Sequence, residues 1–203
     1  MADEVSVANS ALVKLGARQL ITSLTQGTPN ANIMNARYAH VRDDLLRSHN
    51  WNFAQRWSRL ATTGTTPTAE FDYEFQLPTD LIRIIKVSDN DGGYGDLPYD
   101  IYNDKLYCDS NTAYLKYVSK VTDPNLMPAD FREALAWMLA FDTALAITDS
   151  NNARVTAETA MRRQIARAKS ADSQENYPDH MPAGSWTTSR FGTDSGTWGQ
   201  GST

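Results

Sequence analysis

The sequence predicts an α+β fold: an antiparallel bundle of about four helices, a small, mostly antiparallel β-sheet, and an extended, flexible C-terminal tail. Three observations predict it. Apolar residues recur at helical spacing near both ends of the chain, and short alternating or apolar runs bounded by Gly, Pro, Asn and Asp lie between 56 and 120. Beyond 170 the periodicity gives way to Gly, Ser and Thr. Helices grouped on both sides of a run of strands imply that the terminal helices pack together and the sheet projects from one end. The expected division is a folded unit over 1–170 and a flexible extension over 171–203.

The first helix is expected over 3–16. Val5, Ala8, Leu12 and Leu15 share one face, Asp3 and Glu4 suit the positive end of its dipole, and Gly16 is a natural stop. A loop follows to Asn30. The second helix, over 30–49, places Met34, Tyr38, Val41 and Leu45 on one stripe and leaves Arg37, Asp44 and Arg47 outside it. Strands are expected at 57–61, 71–77, 81–87, 105–108 and 113–118. Pro128 suits the first position of a third helix, over 128–149, with Asp130 and Glu133 in its first turn. Between Ala134 and Ile147 only Asp142 and Thr143 are polar, so this helix should be central and nearly surrounded, with Trp137 and Phe141 in the core. A fourth helix, over 152–169, carries Glu158 and Arg162 as a favourable i,i+4 pair.

Composition bounds the function. A chain of 203 residues, 41% apolar and 21% charged, is long enough for one domain with a real core. Its net charge of −5 is not the basic excess of a dedicated nucleic-acid binder. Cys108 is the single cysteine, which excludes an internal disulfide and a multi-cysteine zinc site and fits a reducing cytoplasm. No leader-like segment and no apolar run near eighteen residues stand in the sequence, so neither export nor a membrane span is expected.

Several short patterns resemble chemistry, and each has a structural alternative. Gly192-Thr193-Asp194-Ser195-Gly196 has the Asp-Ser-Gly of a protease nucleophile, but a Gly-rich segment cannot fix a base and an oxyanion hole, so it reads as linker. Asp89-Asn90-Asp91-Gly92-Gly93 looks like a calcium loop until the register puts Val87 and Pro98 at ligand positions; a hairpin turn remains. His40 and Asp44, at i,i+4, read as a surface polar pair rather than a metal site, with His49 too far along to join them and His180 isolated in the tail. Trp51, Phe53 and Trp57 close a helix beside a strand, where core packing is favoured over sugar stacking. Gly-rich phosphate signatures are missing, and no cofactor is expected. Arg154, Arg162, Arg163, Arg167 and Lys169 make the last helix basic, a surface for a neighbouring subunit in preference to DNA. Trp186, Phe191 and Trp198, with Arg190 among them, stand isolated in the tail as anchors for a partner's groove or as plain linker residues.

Four strings in order carry a resemblance to a known family. They are Asn9-Ser10-Ala11-Leu12-Val13-Lys14-Leu15-Gly16-Ala17, then Ile21-Thr22-Ser23-Leu24, then Tyr38 through Ala54 with Leu46-Arg47-Ser48-His49-Asn50-Trp51-Asn52-Phe53-Ala54, then Gln76-Leu77-Pro78-Thr79-Asp80. Together they resemble the tail tubular protein A family of short-tailed bacteriophages, from about Val5 to about Ala168. That resemblance implies a non-enzymatic head-to-tail adaptor of the virion tail, made in the host cytoplasm. It implies a homo-oligomeric, dodecameric ring between the portal protein and the tail nozzle protein, with DNA ejected through its channel without sequence-specific binding. Adaptors of this kind send a terminal extension along the portal, which favours the anchor reading of Trp186, Arg190, Phe191 and Trp198. Arg162, Arg163 and Arg167 are then the further candidates for partner contact. The alternative is a virion-associated polysaccharide or peptidoglycan hydrolase, for which Asp43, Asp44, Asp72, Glu74 and Asp80 supply carboxylates that would need to pair about 5 to 10 Å apart.

Overall fold

A computed structural model of the chain describes residues 3–65, 67, 71–91 and 96–175. Four helices, α1 (Glu4–Lys14), α2 (Pro29–Arg47), α3 (Ala129–Thr148) and α4 (Asn151–Gln174), flank six strands. The strands are β1 (Gln55–Arg59), β2 (Tyr73–Gln76), β3 (Leu81–Ser88), β4 (Asp100–Tyr102), β5 (Lys105–Cys108) and β6 (Tyr114–Ser119). The mixed α+β class is as expected.

Local chemistry explains the helix ends. At the start of α1 the Asp3 carboxylate accepts from the Ser6 N–H at 2.7 Å while the Asp3 N–H donates to the Ser6 hydroxyl at 3.1 Å, a reciprocal cap for two orphan donors. At its end Gly16 takes φ +71°, and Ala17 N–H donates to Leu12 O at 3.0 Å while Gly16 N–H donates to Val13 O at 2.9 Å. That pair of bonds requires a left-handed residue, and glycine supplies it without steric cost. Asn9 then clamps the following loop: its amide donates to Ile21 O and accepts from Ile21 N–H, both at 2.8 Å. Pro29 opens α2, and the stripe Met34, Tyr38, Val41 and Leu45 is buried as its period requires. Pro128 is the cap of α3 rather than its first residue; its ψ of 154° is extended, and the helix begins at Ala129. Asp149, left-handed at φ 49°, turns the chain, and the Ser150 hydroxyl caps α4 by accepting from Ala153 N–H.

Two cores form. In the helical one, Val7, Leu12, Met34, Leu45, Trp51, Phe131, Leu135 and Leu139 pack together, with α3 against α1, α2 and α4. The other lies between the sheets and contains Phe75, Leu77, Val87, Leu106, Leu115 and Tyr117. Instead of one sheet there are two of three strands each, ordered β1-β6-β3 and β2-β5-β4, all antiparallel. β6 divides its residues between the cores: Leu115 and Tyr117 face the sheet core while Val118 joins the helical one. β4 lies outside the expected strands, because three residues of a solvent-exposed edge carry no alternation to read.

Three further expectations are corrected. Trp137 and Phe141 are half-buried, since α3 has a flank that no described element covers, and Leu145 on that helix is exposed. Lys14 sits over the Trp137 ring at 5.0 Å and Arg154 over Phe141 at 5.4 Å, so both rings face cations rather than core. α4 runs to Gln174 rather than 169, so 171–174 belong to the folded unit. Trp57 is exposed, on the outward face of β1, whereas Trp51 is buried as expected and Phe53 packs against it.

Candidate interface surfaces

α4 lies on α3 through small residues. Ala157 and Ala168 are buried and Ala153 and Ala160 are half-buried, so the two backbones approach closely and the long side chains point away. Arg162, Arg163 and Arg167 are therefore all exposed. Arg162 donates to Glu158 at 2.7 Å and Arg167 stands 3.8 Å from Asp130, both solvent-facing pairs worth little to stability. Arg163 has no ion pair among the described residues. Trp186, Arg190, Phe191 and Trp198 lie outside the described residues, as do His180 and Gly192 to Gly196, and Gly92 and Gly93 of the expected turn.

The end of α4 is fixed by the string 46–54. Asp172, buried, accepts from Asn52 N–H at 2.9 Å, and the Asn52 amide donates to Asp172 O at 2.6 Å. The other carboxylate oxygen is 3.2 Å from His49 Nε2. Lys169 reaches Ser48 O at 2.9 Å, and the Trp51 indole donates to Leu45 O at 2.9 Å while its ring meets Phe131 edge-on at 4.9 Å. A small cleft of Trp51, Pro128, Phe131, Ala168 and Asp172 marks this junction. His49 thus serves α4, not the His40–Asp44 pair. His40 and Asp44 instead line an open groove with Met138, Phe141 and Met161, beside a two-bond contact from Arg37 to Asp142 at 2.6 and 3.0 Å.

Of the carboxylates considered for hydrolysis, Asp43, Asp80 and Glu74 are each engaged. Asp43 is held by Arg42 and Lys120, both at 2.8 Å, and Asp80 accepts from the Tyr117 hydroxyl at 3.1 Å. Glu74 accepts from Lys105 and Thr63, both at 2.6 Å, and from Tyr107 at 3.0 Å, and these donors hold its carboxyl below the usual range. A glycosidase acid needs the opposite shift. Asp72 and Asp44 are exposed. Among the described residues no group of three His, Cys, Asp or Glu side chains could hold a metal ion, and no helix is long and apolar enough to cross a membrane.

No protein-family model matches the chain, and a comparison with curated proteins returns no match.

Proposed function

We propose that this chain is the repeating subunit of a virion ring joining a portal protein to a tail nozzle protein around a DNA channel in a short-tailed bacteriophage. The observation that carries the reading is where the four resembling strings fall. Asn9 of the first clamps Ile21 of the second, Asn52 of the third is bonded to Asp172, and Asp80 of the fourth holds Tyr117 and, through its carbonyl, Lys120 N–H at 2.7 Å. The strings thus act at the joints between elements, and a shared set of joints is what a shared fold requires. A heterologous contact repeated with cyclic symmetry builds such a ring, and the exposed Arg162, Arg163 and Arg167 of α4 are suited to it or to the portal. The ring is dodecameric on this reading, with DNA passing through it unread, and the protein is a component of the virion tail without enzymatic activity of its own.

Mass in solution tests it, for the chain alone and mixed with a candidate portal protein. A ring, or portal-dependent assembly of many copies, is expected. A chain that stays monomeric in both settings ends the proposal.

A further inference from the structure

The sheet β1-β6-β3 is segregated by charge. Its strands carry Arg56, Arg59, Arg83, Lys86 and Lys116 and no carboxylate, in a chain whose net charge is −5. Register sorts these residues by face, because directly paired residues of an antiparallel sheet project to the same side. Trp57 lies opposite Lys116 and Lys116 opposite Lys86, one row across three strands, and Arg59 lies opposite Tyr114 in the next row. Arg83, opposite Val118, belongs to the same side, whereas Arg56, opposite Tyr117, belongs to the other and stands 3.9 Å from Asp80. One end of this face is covered: Val118 joins the helical core, and Arg47 at the end of α2 donates to Ile82 O at 2.8 Å. Further out the face opens, with Lys116 and Tyr114 half-buried, Arg59 exposed and Trp57 40% exposed.

Ring and cation alternate on the open part. Trp57 has Lys116 across the sheet and Arg59 two residues along its own strand, about 7 Å away; Tyr114 has Arg59 across the sheet and Lys116 two residues along. The four make a two-by-two block with the rings on one diagonal and the cations on the other. Directly opposed like charges, such as Lys116 and Lys86, destabilise a sheet. Lys86 has relief from Asp96 at 3.4 Å, and Arg83 reaches the side-chain oxygen of Asn50. Arg59 and Lys116 have no ion pair among the described residues, so the face holds cations that its own fold leaves uncompensated.

We propose that this face binds single-stranded nucleic acid, with bases on the Trp57 and Tyr114 rings and phosphates on Arg59, Lys116 and Lys86. A strand that alternates base and phosphate matches a surface that alternates ring and cation, and stacking on aromatic rings tolerates any sequence because every base has a π-face. A duplex hides its base faces and would use the cations alone. An acidic protein surface, including that of a second copy, would also meet the cations but does not match the alternation. The net charge of −5 opposes a polyanion at long range, so the binding belongs to low salt, where a local patch prevails. This site is independent of the ring reading and adds an interaction to it.

Fluorescence anisotropy of a labelled thymidine oligonucleotide, titrated with the full chain at low salt, tests it. The parent should bind, with a logarithmic salt slope of about −0.7 for each phosphate engaged. Trp57→Ala should weaken binding about fivefold or more, the effect of one lost stacked base. Arg59→Glu should weaken it about tenfold or more and make the salt slope shallower. Both sites are exposed, and circular dichroism and melting that match the parent would show the variants folded. Arg18→Glu is the control: Arg18 is exposed beside Gln19, which accepts from Asn30 at the start of α2, while the sheet meets the end of that helix. It should bind as the parent does. No binding at low salt overturns the proposal, and so does binding that Trp57→Ala and Arg59→Glu leave unchanged or that Arg18→Glu weakens equally. Tighter binding of a duplex of the same length, insensitive to Trp57→Ala, overturns it in favour of phosphate contact alone. Weaker self-association of Arg59→Glu with oligonucleotide binding intact overturns it in favour of a second copy. A chain that stays monomeric with and without a portal, yet binds the oligonucleotide through Trp57 and Arg59, upholds this site and ends the ring reading alone.

Discussion

Asn52 and Asp172 grip each other through both backbone and side chain: Asp172 accepts from the Asn52 N–H, and the Asn52 amide donates to the Asp172 carbonyl. These residues are 120 positions apart, so the pair ties the end of the last helix to the exit of the second. With Trp51 packed on Phe131 alongside, the junction holds α2, α3 and α4 together at one end of the bundle.

Replacing Asp172 by Ala should destabilise the fold by about 2–3 kcal/mol, because a buried charged acceptor is removed and the Asn52 N–H is left without it. Urea midpoints measure this. A loss under about 0.5 kcal/mol, typical of exposed substitutions, would show that α4 is held by its alanine packing alone.

Core position decides a second comparison. Phe131 is 1% exposed, and Phe131→Ala should cost about 3–5 kcal/mol. Trp137→Ala and Phe141→Ala should cost roughly half of that, since one side of each ring already faces a cation and water. Equal losses in the monomer would mean that α3 is surrounded after all.

Particular residues show why some of this is legible in the sequence and some is not. The α2 stripe and Gly16 follow from helical period and backbone handedness, which are local properties, and both stand in the structure as expected. The exposed phase of Arg162, Arg163 and Arg167 is legible for the same reason. The end of α4 is not: Ser170-Ala171-Asp172-Ser173 has the composition of a linker, and its bond to Asn52, 120 positions away, is a nonlocal contact that no local pattern shows. Trp57 misleads because a large aromatic beside Trp51 and Phe53 looks like core, while the alternation of β1 turns it outward opposite Lys116. Two sheets cannot be told from one, because which strands pair is a nonlocal property.

Stability should depend on pH through Glu74 and Lys105. Hydrogen bonds from Lys105, Thr63 and Tyr107 lower the Glu74 carboxyl from its ordinary 4.5, so its contribution is present above that value and is lost as pH falls through the lower folded one. Lys105 is raised from 10.5 by Glu74, so its contribution is present below 10.5 and is lost as pH rises through the folded value. Denaturant midpoints across pH should fall at both limbs, and Glu74→Gln should flatten both. A variant curve parallel to the parent's would remove the pair from the account.

The purified chain should turn over neither peptidoglycan nor capsular polysaccharide. Hydrogen bonds from Lys105, Thr63 and Tyr107 lower the Glu74 carboxyl, the opposite of what a proton-donating acid needs, and Asp43 is engaged by Arg42 and Lys120. Reducing-sugar release from cell wall and capsule measures this. Turnover abolished by a single carboxylate substitution, in a variant that melts like its parent, would make the protein an enzyme.

Truncation tests the end of α4 and the residues beyond it separately. Ending the chain after Glu175 keeps Asp172 and Lys169 in place, so thermal unfolding should match that of the full chain. Ending it after Ser170 removes Asp172 and should lower the melting temperature by about 4–10 °C, given about 2–3 kcal/mol for that contact in a domain of this size. If Trp186, Arg190, Phe191 and Trp198 anchor the ring on a portal, the first truncation should bind a candidate portal far more weakly while self-associating as before. Ordering backbone costs about 1–2 kcal/mol per residue and each aromatic anchor returns a few at most, so attachment should need several anchors together, and single Trp→Ala changes should have partial effects. Portal binding that survives removal of 176–203 would move attachment to the described surfaces, with exposed Arg163 of α4 the first residue to replace.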